Sequence, residues 1–380
     1  MRFEPTESQD AIRRLARRFA QEHVAPAAAE NDRLARFPTE LVREAGELGL
    51  LAVNVPAEYG GSEAGAVSTA LAMIELSAAD CAVAVTVGVT NMVAETIARF
   101  GSEAQKRHYL PRLAAGEHGP GAFALSEPHA GSDPAALLAR AEHRGDHWLL
   151  NGAKQWITSG DRASVFVVWA RTEAGAGTRG ISAFLVEGGT SGVTVGRHEE
   201  KMGLRASTTV SLAFEDCAIP ADALLGQAGD GFRIAMMALD GGRINIGAQA
   251  TGTIRAALEA SVRYAKDRKT FGVPIAEHQA IRFMLADMRT ELDATELLTF
   301  RAAALKEAGA AFGREASMAK LFGSEAAQRA VSKAVQIHGG YGYTSEFPVE
   351  RYFRDARVQT IYEGTSEIQR LVIARDLLRG

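Results

Sequence analysis

Ile12, Leu15, Ala16, Phe19 and His23 recur at helical spacing near the start of the chain. Thr6 and Gln9 precede them as a capping-box pair, a hydroxyl for an orphan amide and a side chain reaching back, and Pro26 is expected to stop the run. Leu41, Val42, Ala45 and Leu48 mark a second helix, with Thr39 placed to cap it and Gly49 near its end. Between Val83 and Val89, Val alternates with small residues, and propensity predicts a strand. The character changes after about residue 118. Asn151-Gly152 stands between two apolar runs and predicts a hairpin turn, because both residues tolerate positive φ. Strand-like runs follow at 164–170, 181–186, 192–195 and 209–214, separated by glycine-rich breaks.

Helical spacing returns near residue 231. Ile254, Leu258, Val262 and Ala265 mark one helix, and Ile281, Leu285, Met288, Leu292, Thr295 and Leu298 a longer one. Met318, Leu321, Val331 and Val335 mark a third, ended by Gly339-Gly340; Ser366 and Gln369 form a capping-box pattern before Ile368, Leu371 and Val372 of a fourth. The order is helices, strands, helices, without βαβ alternation. It predicts a helical domain over 1–118, a β domain over 119–230 and a second helical domain over 231–380.

At about 150 residues per domain, 380 residues suit two or three domains. Apolar residues at 47% and charged residues at 23% are near the globular average and exclude a disordered chain. A net charge of −4 lacks the concentrated basic excess of a nucleic-acid binder. The two cysteines, Cys81 and Cys217, are far apart, which argues against a disulfide framework or a thiolate zinc site and for a reducing cytoplasm. No metal-ligand cluster stands out. The start, MRFEPTESQD, has no apolar stretch behind a basic cluster, so no signal peptide is expected. The most apolar run, Cys81 to Ala94, is interrupted by Thr86, Gly88, Thr90 and Asn91 and falls short of the ~20 residues of a membrane helix, so no membrane insertion is expected.

Gly175, Gly177 and Gly180 spell GxGxxG, but a strand-like run follows where a dinucleotide fold needs a helix, so a hairpin loop is expected and a nicotinamide site rejected. Phe123 to Asp133 (FALSEPHAGSD) offers small residues, amides and hydroxyls able to bond a polar ring edge and a phosphate; a domain-joining loop has the same look. In Gly152 to Gly160 (GAKQWITSG), Trp156 and Thr158 share a strand face, an aromatic plane beside a donor, though a core Trp also fits. Glu363 lies just before a helix start, where the macrodipole favours an acid in any case. Asp240, Arg243 and the Arg268–Gly272 segment suit surface ion pairs and a helix end equally well, and His338 reads as a loop histidine.

Taken together, these separated segments and their spacing resemble the acyl-CoA dehydrogenase family over essentially the whole chain. The resemblance implies an N-terminal helical domain, a β-barrel-like middle domain and a C-terminal four-helix domain, with helix replacing the strand expected at 83–89. It implies FAD between the middle and C-terminal domains, near a subunit interface of a homotetramer built as a dimer of dimers. Phe123 to Ser132 would line the flavin, with Leu125 and Ser126 near its pyrimidine edge and Ser132 also bordering substrate. Trp156 and Ile157 would flank the ring, and Thr158 would set its hydroxyl at N5. Asp240 and Arg243 match contacts to coenzyme A. Arg268, Phe271, Gln279, Gln336, Gly339 and Gly340 match contacts to a neighbouring subunit's FAD, and Thr365 and Glu367 match FAD contacts beyond the base. Many members have Gln in place of Glu367, and Gly is commoner than His129.

Glu363 matches the family's base, which removes the α-proton of an acyl-CoA thioester while the β-hydride goes to flavin N5. The amide of Glu363 and a ribityl hydroxyl would stabilise the enolate-like oxygen, and Gly364 would let the thioester lie close to the backbone. Burial beside an acyl chain would raise the base's pKa. Some branched-chain members place the base at the position of Gly242, so Glu363 is the candidate here. Glutaryl-type members carry an Arg where Cys81 stands, so a short, uncharged acyl chain is expected. Electrons would pass to an electron-transfer flavoprotein. A flavin oxidase or monooxygenase, or a non-enzymatic assembly protein on the same fold, is the alternative; the retained Glu363, Asp240 and Arg243 argue against both.

Overall fold

The computed structural model describes residues 4–378; the first three residues of the start inspected for a signal lie outside them. Helix α1 (Glu7–Phe19) opens with the expected capping box between Thr6 and Gln9. Pro26 does not stop the run. A π turn (Ala20–Val24) carries the chain into α2 (Ala25–Leu34), with Pro26 in the first turn, where a missing N–H costs little. In α3 (Thr39–Glu47), Pro38 is the flanking residue and Thr39 already belongs to the helix, with no side-chain cap bond. Helices α4 (Gly65–Ala79), α5 (Cys81–Phe100) and α6 (Glu103–Ala115) complete this part.

Where propensity predicts a strand at 83–89, α5 is helical, as the family resemblance implies. Asp80 caps it through Ala82 N. The alternating valines resolve into two i,i+4 pairs: Val83 and Val87 enter the core shared with α4, while Val85 and Val89 face a separate apolar cluster with Leu204. Tertiary packing on all sides overrides the β preference of valine. The helix is 20 residues long, longer than its most apolar stretch, and by length and composition could cross a membrane; 89% of its apolar window is buried inside the protein, as in a core helix.

Strands β1 (Gly121–Ala124), β2 (Arg140–Arg144), β3 (His147–Thr158), β4 (Val165–Arg171), β5 (Ile181–Glu187), β6 (Val193–His198), β7 (Thr209–Pro220) and β8 (Leu224–Leu225) form one sheet. Its order is β6-β7-β3-β2-β4-β5-β8, with β1 parallel to β4. β2 and β4 pair at one position, so two antiparallel halves fold around a common core containing Leu150, Phe166, Phe184 and Phe214. β4 is buried on both faces. Val165, Val167 and Trp169 meet the helices while Phe166, Val168 and Ala170 meet the β core, which explains its continuous apolar run. The GxGxxG glycines fall in the loop joining the antiparallel β4 and β5, as expected.

Asn151-Gly152 is not a turn. It lies inside β3 at a bulge opposite β7, and the hairpin is Gly145-Asp146, between β2 and β3. Gly152 has φ +142°, and a Cβ there would come within 2.6 Å of Ala139 Cα, so glycine serves a close backbone approach. Asn151 bonds Asp216 of the partner strand.

Helix α7 (Gly231–Asp267) runs 37 residues and packs on α8 (Gln279–Glu307) and α9 (Gly313–His338); a small two-stranded ribbon, β9 (Lys269–Thr270) with β10 (Val273–Pro274), stands between α7 and α8. Short α10 (Val349–Ala356) and α11 (Ser366–Leu377) lie against α9. The cap of α11 is Thr365, one residue before the expected Ser366; Gln369 turns instead to the carbonyls ahead of the helix.

Candidate active site

The loop after β1 and the end of β3 are tied together from behind. Lys154 and Glu127 are both buried, and Lys154 Nζ donates to Glu127 Oε1 (2.8 Å) and to the Leu125 carbonyl (3.1 Å). Glu127 also accepts from the amides of Leu138 (2.7 Å) and Ala139 (3.0 Å), and the Gln155 amide donates to Ser126 O (2.9 Å). Burial pulls Lys154 down to about 8 against the charge of Glu127. Burial also pushes Glu127 up, but Lys154 and the two amides outweigh it and hold the carboxyl below its usual range. Sequence reasoning singled out both segments and missed this pair. The available signal was one acid and one base, each set among small neutral residues.

In front of this support, Trp156 has φ +64° and is 61% exposed, turned out where the β3–β7 register shifts. Thr158 is half-buried. Ile157 points into the β core and Leu125 is buried as well, so each offers backbone rather than side chain to a ligand. Among the described residues the hydroxyls of Ser126, Ser132 and Thr158 bond no other protein group. An exposed indole and unspent hydroxyl donors on these two tied segments suit the face and polar edge of a flat heterocycle.

Glu363 sits in the turn before α11 with φ +52°, followed by Gly364 at φ +91°. Two successive left-handed residues make a sharp turn that glycine takes freely and glutamate takes under strain. The turn is braced: Gln369 Nε2 donates to Gly364 O (2.9 Å) and Glu363 O (3.3 Å), and Lys320 Nζ donates to Gly364 O (2.7 Å). The Glu363 amide has no acceptor among the described residues. The residue keeps some contact with solvent, but its Oε2 is enclosed and without a hydrogen-bond partner among the described residues. It is lodged against α7, where a Cβ on Gly242 would lie 2.1 Å from Oε2 and 3.0 Å from Met92 Sδ. Burial pushes Glu363 up to about 7, opposed by the charges of Lys320 and Arg243.

Arg243 is 5% exposed; it donates to Asp240 Oδ1 (2.6 Å) and Ser317 Oγ (3.5 Å), and its Nε is buried without a partner among the described residues. Phe123 and Tyr362 pack on the same apolar cluster, Cys81, Val85, Val89 and Leu204, so the β1 loop and the Glu363 turn share one wall. Lys320 was missed in the sequence. Its position among Ala316, Ala319, Gly323 and Ala327, on the buried face of α9, is the signal that marks it.

Most of the remaining candidates are elsewhere. Roughly 38 Å of α7 separates Arg243 from Arg268. Arg268, Gly339 and Gly340 line a cleft of about 590 Å³ with Tyr264, His338 and Tyr341. His338 closes α9 as a buried residue, stacked on Tyr264, rather than standing in a loop. Phe271 is 97% exposed, and Gln279 and Gln336 lie on the surface. Thr365 caps α11, and Glu367 is exposed at its first turn, held below its usual range by the helix-start amide and Thr365.

Three family models match in succession: acyl-CoA dehydrogenase N-terminal domain over residues 6–117, middle domain over 122–217 and C-terminal domain over 229–378. The chain belongs to the acyl-CoA dehydrogenase family. It is similar to an acyl-CoA dehydrogenase of Bacillus subtilis (strain 168), 48% identical over 99% of both chains. It is equally similar to the mitochondrial short-chain specific acyl-CoA dehydrogenase of Mus musculus, 48% identical over 98% of this chain and 91% of the relative. Butyryl-CoA dehydrogenase from Megasphaera elsdenii superimposes with a TM-score of 0.98 at 42% identity, over all of both chains. The fold is thus that of an acyl-CoA dehydrogenase, helical at both ends with a central sheet.

Gly242 gives this acyl-CoA dehydrogenase a direct test. Gly242→Ala would drive a methyl into the Glu363 carboxylate, the movable end of a side chain, so the carboxylate shifts while the fold survives. Turnover is expected to fall about 100-fold, with the melting temperature little changed; steady-state kinetics and a thermal melt check both.

Proposed function

We propose that the chain oxidises short, uncharged acyl-CoA thioesters to trans-2-enoyl-CoAs, with Glu363 as base. The observation that carries this reading is the enclosed, unpartnered Glu363 Oε2 beside an apolar wall. Enclosure makes the carboxylate a stronger base than it is in water, and close enough to neutrality to take a proton and release it again. The thioester oxygen would lie at the free Glu363 amide, where a hydrogen bond strengthens as enolate character develops. Gly364 leaves room for the thioester against the backbone.

FAD is the cofactor, and when bound it accepts the hydride that leaves Cβ. Trp156, Ser126, Ser132 and Thr158 would hold its ring and phosphate side. Arg243 and Asp240 would meet the coenzyme A portion. Arg268, Phe271, Gln279, Gln336, Gly339 and Gly340, remote from Glu363 in the same chain, would reach the FAD of a second subunit in a homotetramer. An electron-transfer flavoprotein would take the electrons onward.

For the acyl chain, the relevant wall has Cys81 at the start of α5. Cys81 Sγ is spent on Thr253 Oγ1 (3.2 Å) and Ser77 O (3.5 Å), and Asp80 beside it is engaged in capping. Neither is a cation for a distal carboxylate, whose desolvation costs several kcal/mol. Anaerobic bleaching of the yellow holoenzyme by butyryl-, hexanoyl-, octanoyl- and glutaryl-CoA tests this. Butyryl- or hexanoyl-CoA is expected to react fastest and glutaryl-CoA at least about 100-fold more slowly. A preference for glutaryl-CoA would overturn the charge argument.

A further inference from the structure

Lys320 has no exposed surface, yet no carboxylate among the described residues forms a salt bridge with it. Its ammonium is turned to the Gly364 carbonyl at 2.7 Å, the peptide that follows Glu363. A buried ammonium without a contacting acid is costly, and the cost calls for a compensating role. The carboxyl nearest in electrostatic effect is that of Glu363, ahead of Glu367 and Glu325. The Gly364 carbonyl thus holds the ammonium one peptide away from Glu363, whose Oε2 is enclosed.

We infer that Lys320 is a positioning residue for the base: its ammonium clamps the strained turn at Gly364 and supplies the positive charge that the enclosed Glu363 carboxylate faces. The inference rests on Glu363 being the base. Clamp and charge do different things. The clamp adds to the two Gln369 bonds and holds two left-handed residues in place. The charge favours the ionised carboxylate, the form that accepts a proton.

Other charged and titratable groups lie around Glu363. From α7 come Arg243, which also favours ionisation, and its partner Asp240; from α11 come Glu367 and Arg375; from α9, Glu325 lies beyond Lys320; Tyr362 is the neighbour within the turn. From α5, Met92 touches the site and Glu95 lies farther along the cleft, paired to Lys306 at 2.6 Å. Lys320 and Arg243 are the cations that favour the ionised carboxylate.

The test compares wild type, Lys320→Gln, Lys320→Met and Glu363→Gln as holoenzymes. Gln keeps a donor for Gly364 O and removes the charge; Met removes both. Met is expected to fold, because it replaces a buried charge by an apolar chain of similar length. The readouts are the acid limb of kcat/KM against pH, and the incorporation of deuterium from D2O at the α-carbon of butyryl-CoA, which reports the base without net oxidation. Removing the charge is expected to move the acid limb of both variants upward by about 1–2 pH units. Lys320→Met is expected also to lower the plateau rate above that limb, with KM changed less than kcat. Limbs that coincide with wild type in both variants would overturn the inference. If Glu363→Gln exchanges and oxidises like wild type, the base reading itself fails, which is a distinguishable result.

Discussion

Glu363→Gln is expected to lower both α-proton exchange and substrate-driven flavin bleaching by roughly 10²–10⁴-fold, with FAD content unchanged. The amide keeps the shape of the side chain and cannot take the proton. The same substitution has a second expected effect, on stability. Glu363 is pushed from its ordinary value to about 7 in the folded chain. The folded state therefore binds a proton more tightly than the unfolded chain does. The stability that goes with the protonated form is fully present below the ordinary carboxyl range and is lost as pH rises to about 7. Above that pH the wild type carries an ionised, enclosed carboxylate, and the Gln variant does not. The variant is expected to melt at or above the wild-type temperature in mildly alkaline buffer, and the advantage to shrink in acid. A variant that is inactive and also much less stable at alkaline pH would make Glu363 a structural residue rather than a strained base. Turnover itself should follow the ionised form, rising as pH increases through about 7 in the wild type.

The order of helices, strands and helices was legible because each part has its own period, and a β4 buried on both faces still announced itself as an apolar run. Three local signals were read correctly in chemistry and wrongly in place. Valines from 83 to 89 alternate, but their partners are chosen by i,i+4 pairing across two cores, which no local window contains. Asn151-Gly152 did need an unusual backbone, but for a bulge beside Ala139 instead of a turn. Pro26 did mark a change, one that a preceding π turn absorbs.

At the site, the position of Glu363 was legible from its motif, and its enclosure was not, because Met92, Gly242 and Lys320 come from three distant helices. The same holds for Lys154 and Glu127. Sequence reasoning finds the residues that face a ligand by their chemistry. It passes over those that hold them, whose role exists only once 27 residues of separation have closed to 2.8 Å.

That hidden pair carries the second large effect. Lys154→Met leaves the Glu127 carboxylate buried with two amide donors and only the half-exposed His129 Nε2 at 3.7 Å in place of the ammonium, and the expected loss of stability is about 3–5 kcal/mol in a denaturant titration. The loss should extend to function. Lys154 also holds the Leu125 carbonyl, so the loop carrying Ser126 and Ser132 loses one of its anchors, and purified Lys154→Met is expected to contain less FAD than wild type. Replacing both members by apolar residues separates charge from hydrogen bonding. In an ordinary buried ion pair such a double change is close to neutral. Here the Leu138 and Ala139 amides would lose their acceptor, each a buried donor whose desolvation is then uncompensated, at about 1–3 kcal/mol. The Lys154→Met/Glu127→Leu variant should therefore recover only part of the stability lost by Lys154→Met. Full recovery would show that the amides find other acceptors and that the carboxylate serves the lysine alone; no recovery would mean that the two orphaned amides cost as much as the unpaired carboxylate.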